Sequence, residues 1–308
     1  MRRPSLSVII LLLGACSSQK INVAAVKSVA GATKDIAANT TAVYKNMWQL
    51  KYDIVQLSIA TTDSPAYLIE SLNENFQQKI ESESNAAEYA SLYGILVSYS
   101  TLLEALTSDE DYKNLKKDAG DWQCNMDSLV RKYNQFCPRP LPVSLGNFMS
   151  KIIVSMGEYH LRKMQKKFLK ESIDSGYSAV MDVCDNYSKL FAPRIKQDID
   201  GIPADINSAY TGFLETIRSA RNTSINQPYL YYTNYNPLYL DMIRRHGQIK
   251  SVYEQNLAAI QNIRKSFTRL KESYTYKLTR KEWIEENKNL VLSAHELKKA
   301  WLNLSTEK

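Results

Sequence analysis

Glycine and proline are scarce in this chain, ten and nine among 308 residues. Both residues punctuate secondary structure, so their scarcity excludes a fold of many short strands joined by tight turns and favours long helices. There are three histidines, with no pair at metal-ligand spacing and no H-E-x-x-H. No C-x-x-C pair occurs, which removes the zinc knuckle and the thioredoxin-type motif. G-x-S-x-G, a P-loop and a glycine-rich phosphate cradle are also missing, so nothing reads as an active site. Asp198-Ile199-Asp200-Gly201 matches only half of a calcium loop, because the glycine comes two positions early and the twelfth position is not Glu. Metals and cofactors are therefore not expected, and neither is catalysis. No internal apolar run approaches the ~20 residues that cross a bilayer.

What is present is a chain that is 44% hydrophobic and rich in tyrosine, with twenty Tyr against seven Phe. Tyrosine suits half-wet positions, where the ring is buried and the hydroxyl finds a partner. The formal charge of +7 is mild for this length and fits ordinary solubility; a nucleic-acid partner is not expected.

The first residues are organised differently. Arg2 and Arg3 precede a short apolar stretch, Ser5 to Leu13, and Leu13-Gly14-Ala15-Cys16 follows. The apolar stretch is too short for a membrane span. Together these residues resemble the signal peptide and lipobox of bacterial lipoprotein precursors. The resemblance covers only the first 16 or so residues. It implies cleavage before Cys16, a diacylglycerol on the Cys16 sulfur, and a membrane anchor stabilised by about 0.8 kcal/mol per buried methylene. Ser17 after the acylated cysteine leans toward the outer membrane. Residues 1–15 are thus expected to be a removed leader, and 16–21 a short lipidated tether.

The rest reads as all-α. Ile36, Thr40, Val43, Met47, Leu50, Ile54 and Leu57 alternate spacings of three and four, a heptad seam on a helix over about 22–61. Ser64-Pro65 reads as an N-cap and first turn. Leu68, Leu72, Phe76 and Ile80 form a second stripe, and Leu92, Ile95, Tyr99, Leu102 and Leu106 a third. Thr107 to Glu110 reads as a capping box opening one helix through Tyr133. Cys137-Pro-Arg-Pro-Leu-Pro142 cannot continue a helix. It separates two expected helical lobes, 22–136 and 143–308. A helix is expected from about 145 to 192, interrupted near Ser175-Gly176, with further breaks at Pro193, Gly201 and Pro203. Two long helices close the chain, the last opened by a capping box at Thr279. The expected architecture is an elongated bundle of long helices with coiled-coil character.

Three features are candidates for function. Tyr229, Tyr231, Tyr232, Tyr235 and Tyr239 cluster in a loop and offer large contact area at low entropy cost; the alternative is a loop packing its rings onto the body. Arg162, Lys163, Lys166, Lys167 and Lys170 share one helical face and can meet anionic lipid or an acidic partner, at about 1 kcal/mol per charge near a membrane, or simply be solvated. Among the cysteines, Cys124 and Cys137 would lie about 20 Å apart on a continuous helix, against the ~7 Å a disulfide allows. A bridge would join Cys137 to Cys184; the alternative is three free thiols. His160 falls on an apolar face, while His246 and His295 read as surface residues. These features fit a non-enzymatic lipoprotein that binds a protein partner in the cell envelope as scaffold or adaptor. A self-protection or exclusion lipoprotein that captures a toxin or secretion component is the alternative, ahead of a cell-wall-acting enzyme.

Overall fold

The computed structural model describes residues 23–60, 65–155, 161–220, 235–273 and 280–305. Among these residues every regular element is helical, so the all-α expectation holds. In chain order they are α1 (Val23–Ile59), α2 (Pro65–Ala105), α3 (Asp109–Lys117), α4 (Ala119–Phe136), α5 (Leu145–Ser155) and α6 (Leu161–Asn186). A π-turn at Tyr187–Phe191 leads into α7 (Ala192–Ala220), followed by α8 (Asn236–Ser273) and α9 (Arg280–Ser305).

The seam on α1 organises the packing. Ile36, Thr40, Val43, Met47, Leu50 and Ile54 are all buried, and α1 packs against α2, α7, α8 and α9. One apolar core runs from Ala25 on α1 to Leu297 on α9 and takes residues from every helix between. The stripe from Leu92 to Leu106 on α2 is buried in it.

Two expectations about helix ends are corrected. The cap of α3 is Ser108, whose side chain accepts from the Asp111 amide at 3.4 Å. Thr107 does not cap, because its hydroxyl donates to the Glu104 carbonyl at 2.6 Å and so finishes α2. The helix expected through Tyr133 is two helices, with Asp118 at φ −103° and ψ 19° between them. At the triple-proline segment the Asn134 side chain clamps Leu141 from both sides. Its amide donates to the Leu141 carbonyl at 2.9 Å, and its oxygen accepts from the Leu141 amide at 2.7 Å. That pair of bonds returns the chain onto α4, where Gly146 of α5 sits against Asp127.

The breaks expected at Gly176, Pro193, Gly201 and Pro203 do not occur. Gly176 lies inside α6, and its missing side chain makes room for the Tyr99 ring of α2. Pro193 has no amide to offer the Lys189 carbonyl, and the chain absorbs this by one π-turn, in which the Ala192 amide reaches back five residues to Tyr187. Pro203 sits inside α7 without ending it.

Candidate functional site: the first half of α2

Over residues 66–82 the burial of α2 is inverted. The two buried side chains are Asn75 and Ser82. The apolar ones face outward: Ile69 is 61% exposed, Phe76 53% and Ile80 44%, with Leu72 and Tyr67 also exposed. Ile69, Leu72, Phe76 and Ile80 follow spacings of three, four and four, so they form one seam along the helix. Of the stripe read from the sequence, Leu72, Phe76 and Ile80 are uncovered, whereas Leu68 is half-buried and Ile69 takes its place in the exposed seam. Periodicity identifies an apolar face but not what lies against it. Beside the seam run Glu70, Glu74 and Glu81, an acidic ridge along a shallow groove.

The inner side of this half-helix meets α1 through polar and aromatic side chains and faces α7 across a cavity. Lys79 holds its ammonium 4.9 Å from the centre of the Tyr52 ring, and Lys51 lies 4.8 Å from that of Trp48. Lys51 also pairs with Asp198 of α7. Asp200, the other carboxylate of the half calcium loop, pairs with Lys196. Among the described residues no group of three or more His, Cys, Asp or Glu side chains is placed to hold a metal.

The residues singled out from sequence are distributed over the molecule. Cys16, Tyr229, Tyr231, Tyr232 and His160 lie outside the described residues. Tyr235 and Tyr239 pack the start of α8 onto the end of α7. Tyr235 meets Phe213 edge-on at 5.3 Å, and Tyr239 meets Tyr210 at 5.0 Å while donating to Asn207 at 2.9 Å. Lys166, Lys167 and Lys170 are exposed on α6, and Lys167 lies 3.9 Å from Glu171; the side chains of Arg162 and Lys163 lie outside the described residues. His295 is exposed on α9, whereas His246 is half-buried and bonds to α7.

The bridge between Cys137 and Cys184 is not formed. Both are buried free thiols, and Cys124 is an exposed one. Cys137 instead contacts the Tyr133 hydroxyl. Burial pushes the Cys137 thiol up to about 11 and the Cys184 thiol up to about 12, so both stay protonated and inert at neutral pH.

Sequence reasoning also missed a polar centre in the core. The Thr40 hydroxyl donates to Asn256 Oδ1 at 2.7 Å, and Asn256 Nδ2 donates to the Tyr187 hydroxyl at 3.0 Å. Tyr93 packs edge-on against Tyr187 at 5.7 Å, and Tyr44 stacks on Tyr89 at 4.2 Å. Burial raises the pKa of Tyr44, Tyr93 and Tyr187 well above the usual tyrosine value. The signal available was the tyrosine excess itself. The members of the centre sit on three helices and the π-turn, and their meeting is not visible in a linear chain.

A scan against protein-family models finds no match to the chain. A search of curated proteins finds no similar chain. A search of solved structures finds none either.

Proposed function

We propose that this chain is a bacterial lipoprotein, anchored through lipid on Cys16, whose helical body is an adaptor for a second protein of the cell envelope. The uncovered seam Ile69–Leu72–Phe76–Ile80 is the observation that carries the adaptor reading. A contiguous apolar row rimmed by charge is costly to leave in water and marks a surface that another chain covers. Its occupant is an amphipathic helix, laid along the seam with Lys or Arg on the side that meets Glu70, Glu74 and Glu81. A second copy of α2 would set two acidic ridges together, which disfavours self-pairing. The anchor reading rests on the lipobox, and Ser17 favours the outer membrane. In this arrangement α1, 37 residues or about 55 Å of helix, is a coiled-coil-like rod that begins beside the lipid and carries the body away from it. No catalytic group is required for such a role. Capture of an incoming toxin or secretion component would use the same face, and the identity of the captured chain separates the two roles.

The test is a photo-crosslinker at position 76 of the full-length protein in intact cells. The expected product is one stoichiometric conjugate through a basic amphipathic helix, weakened by salt, lost when Leu72→Asp/Ile80→Asp is added, and reduced by Glu70→Gln/Glu74→Gln/Glu81→Gln. Cys16→Ser is expected to release the protein from the membrane. A folded protein giving no conjugate at position 76 overturns the adaptor reading. Unchanged membrane retention of Cys16→Ser overturns the anchor.

A further inference from the structure

Beneath the inverted half of α2 lies a cavity of about 410 Å³ between α1, α2 and α7. That is the size of a small-ligand site. Its walls include Trp48, Lys51 and Tyr52 of α1, Asn75 and Lys79 of α2, and Asp205 of α7.

Asn75 is the informative residue. It is 2% exposed, and its side-chain nitrogen has no hydrogen-bond partner. An unpaired buried amide donor is costly, and an apolar residue of the same size would avoid that cost. The helix nevertheless turns this amide inward and its apolar residues outward. Asn75 lines the cavity, so a turn of its amide presents this donor to an acceptor that enters there.

The charges narrow the choice of acceptor. Lys79 is one turn along α2 from Asn75, and its ammonium is held over the Tyr52 ring. Lys51 lies against Trp48, but Asp198 already neutralises it. Asp205 on the opposite wall opposes any second negative charge. One donor, one cation not matched by Asp198 and a nearby carboxylate suit a single negative charge better than two. The rings of Trp48 and Tyr52, with Ile54 and Val55, provide an apolar wall.

We propose that this cavity binds a small organic monocarboxylate with an apolar body. One carboxylate oxygen accepts from Asn75 Nδ2, the other faces Lys79, and the body lies against the α1 wall. The site stands whether or not the outer face of α2 has a partner.

Titration calorimetry on the full chain with 4-phenylbutyrate tests this, with 4-phenylbutyramide and phenyl phosphate as comparisons. The expected result is saturable one-site binding of the carboxylate, at least about tenfold tighter than either comparison. Lys79→Met and Asn75→Leu should each weaken it by about tenfold or more at unchanged helicity. Asn75→Leu should also raise the melting temperature of the ligand-free protein, because it removes the unpaired donor. The proposal is overturned if neither 4-phenylbutyrate nor octanoate saturates at millimolar concentration. It is also overturned if the neutral amide or the phosphate binds as well as the carboxylate, or if folded Lys79→Met binds like the parent.

Discussion

His246 on α8 donates from Nε2 to the Ile199 carbonyl on α7, at 3.0 Å. A carbonyl only accepts, so Nε2 carries the proton. In an uninterrupted helix that carbonyl would take the amide of residue 203, but residue 203 is proline and has none. A histidine from the next helix thus supplies the hydrogen bond that proline removed, and ties α7 to α8 where α7 would otherwise be weakest.

His246→Phe should destabilise the fold by about 1 kcal/mol, because His246 is only half-buried and water can partly replace it. Pro203→Ala gives the Ile199 carbonyl an amide within its own helix. In that background His246→Phe should cost measurably less. Urea denaturation of the two single variants and the double variant reads the coupling; additivity would mean that the two residues are unconnected.

Gly176→Ala should destabilise by about 2–3 kcal/mol, in the upper range for overpacking. A Cβ there would overlap the Tyr99 ring. The ring cannot swing away freely, because its hydroxyl donates to the Ser172 carbonyl at 3.0 Å in the same helix. Tyr99→Leu should recover part of the loss when combined with Gly176→Ala. A Gly176→Ala chain as stable as the parent, by thermal melting, would show that α2 and α6 are not packed this closely.

Stability should fall above pH 10. Tyr44, Tyr93 and Tyr187 ionise less readily folded than unfolded, mainly because they are buried. Their protonated forms favour the native state, so that contribution is complete below the unfolded value of about 10 and is lost as pH climbs above it. Phenolate absorbance should therefore rise in two stages, an early one from exposed tyrosines and a late one coincident with loss of helicity. A single smooth titration with intact helices would contradict the buried cluster.

Thiol labelling at pH 8 should divide the three cysteines of the body. Cys124 is exposed and should react within minutes. Cys137 and Cys184 are buried and protonated, and should react only after denaturation. Mass mapping of the labelled peptides checks the assignment. Recovery of a peptide pair joined through Cys137 and Cys184 would contradict it.

Much of the fold was legible because helical spacing is a strong local signal. The seam from Ile36 to Ile54 and the stripe from Leu92 to Leu106 follow directly from it. What it missed was tertiary. Pro203 looks like a helix end until His246 is placed opposite Ile199. Gly176 looks like a break until Tyr99 fills the space. The candidate site was half visible. Leu72, Phe76 and Ile80 stood out as a stripe, but spacing is the same whether a face is covered or bare. The cavity was not visible at all, because residues 48–55, 75–82 and 205–209 come together only in three dimensions.

The two halves of α2 differ in what holds them. From Leu92 to Ala105 the helix is locked among buried apolar side chains, whereas from 66 to 82 its buried side chains are two small polar ones. The free energy of local opening should follow that division. Amide hydrogens over 66–82 should exchange through partial unfolding well below the global cost, while those beyond Leu92 wait for the whole domain to unfold. Nearly five turns of helix can then melt and reform with little disturbance to the core. Whatever settles on this segment would order it, spending part of its binding energy to do so, and would be held less tightly than the size of the contact implies.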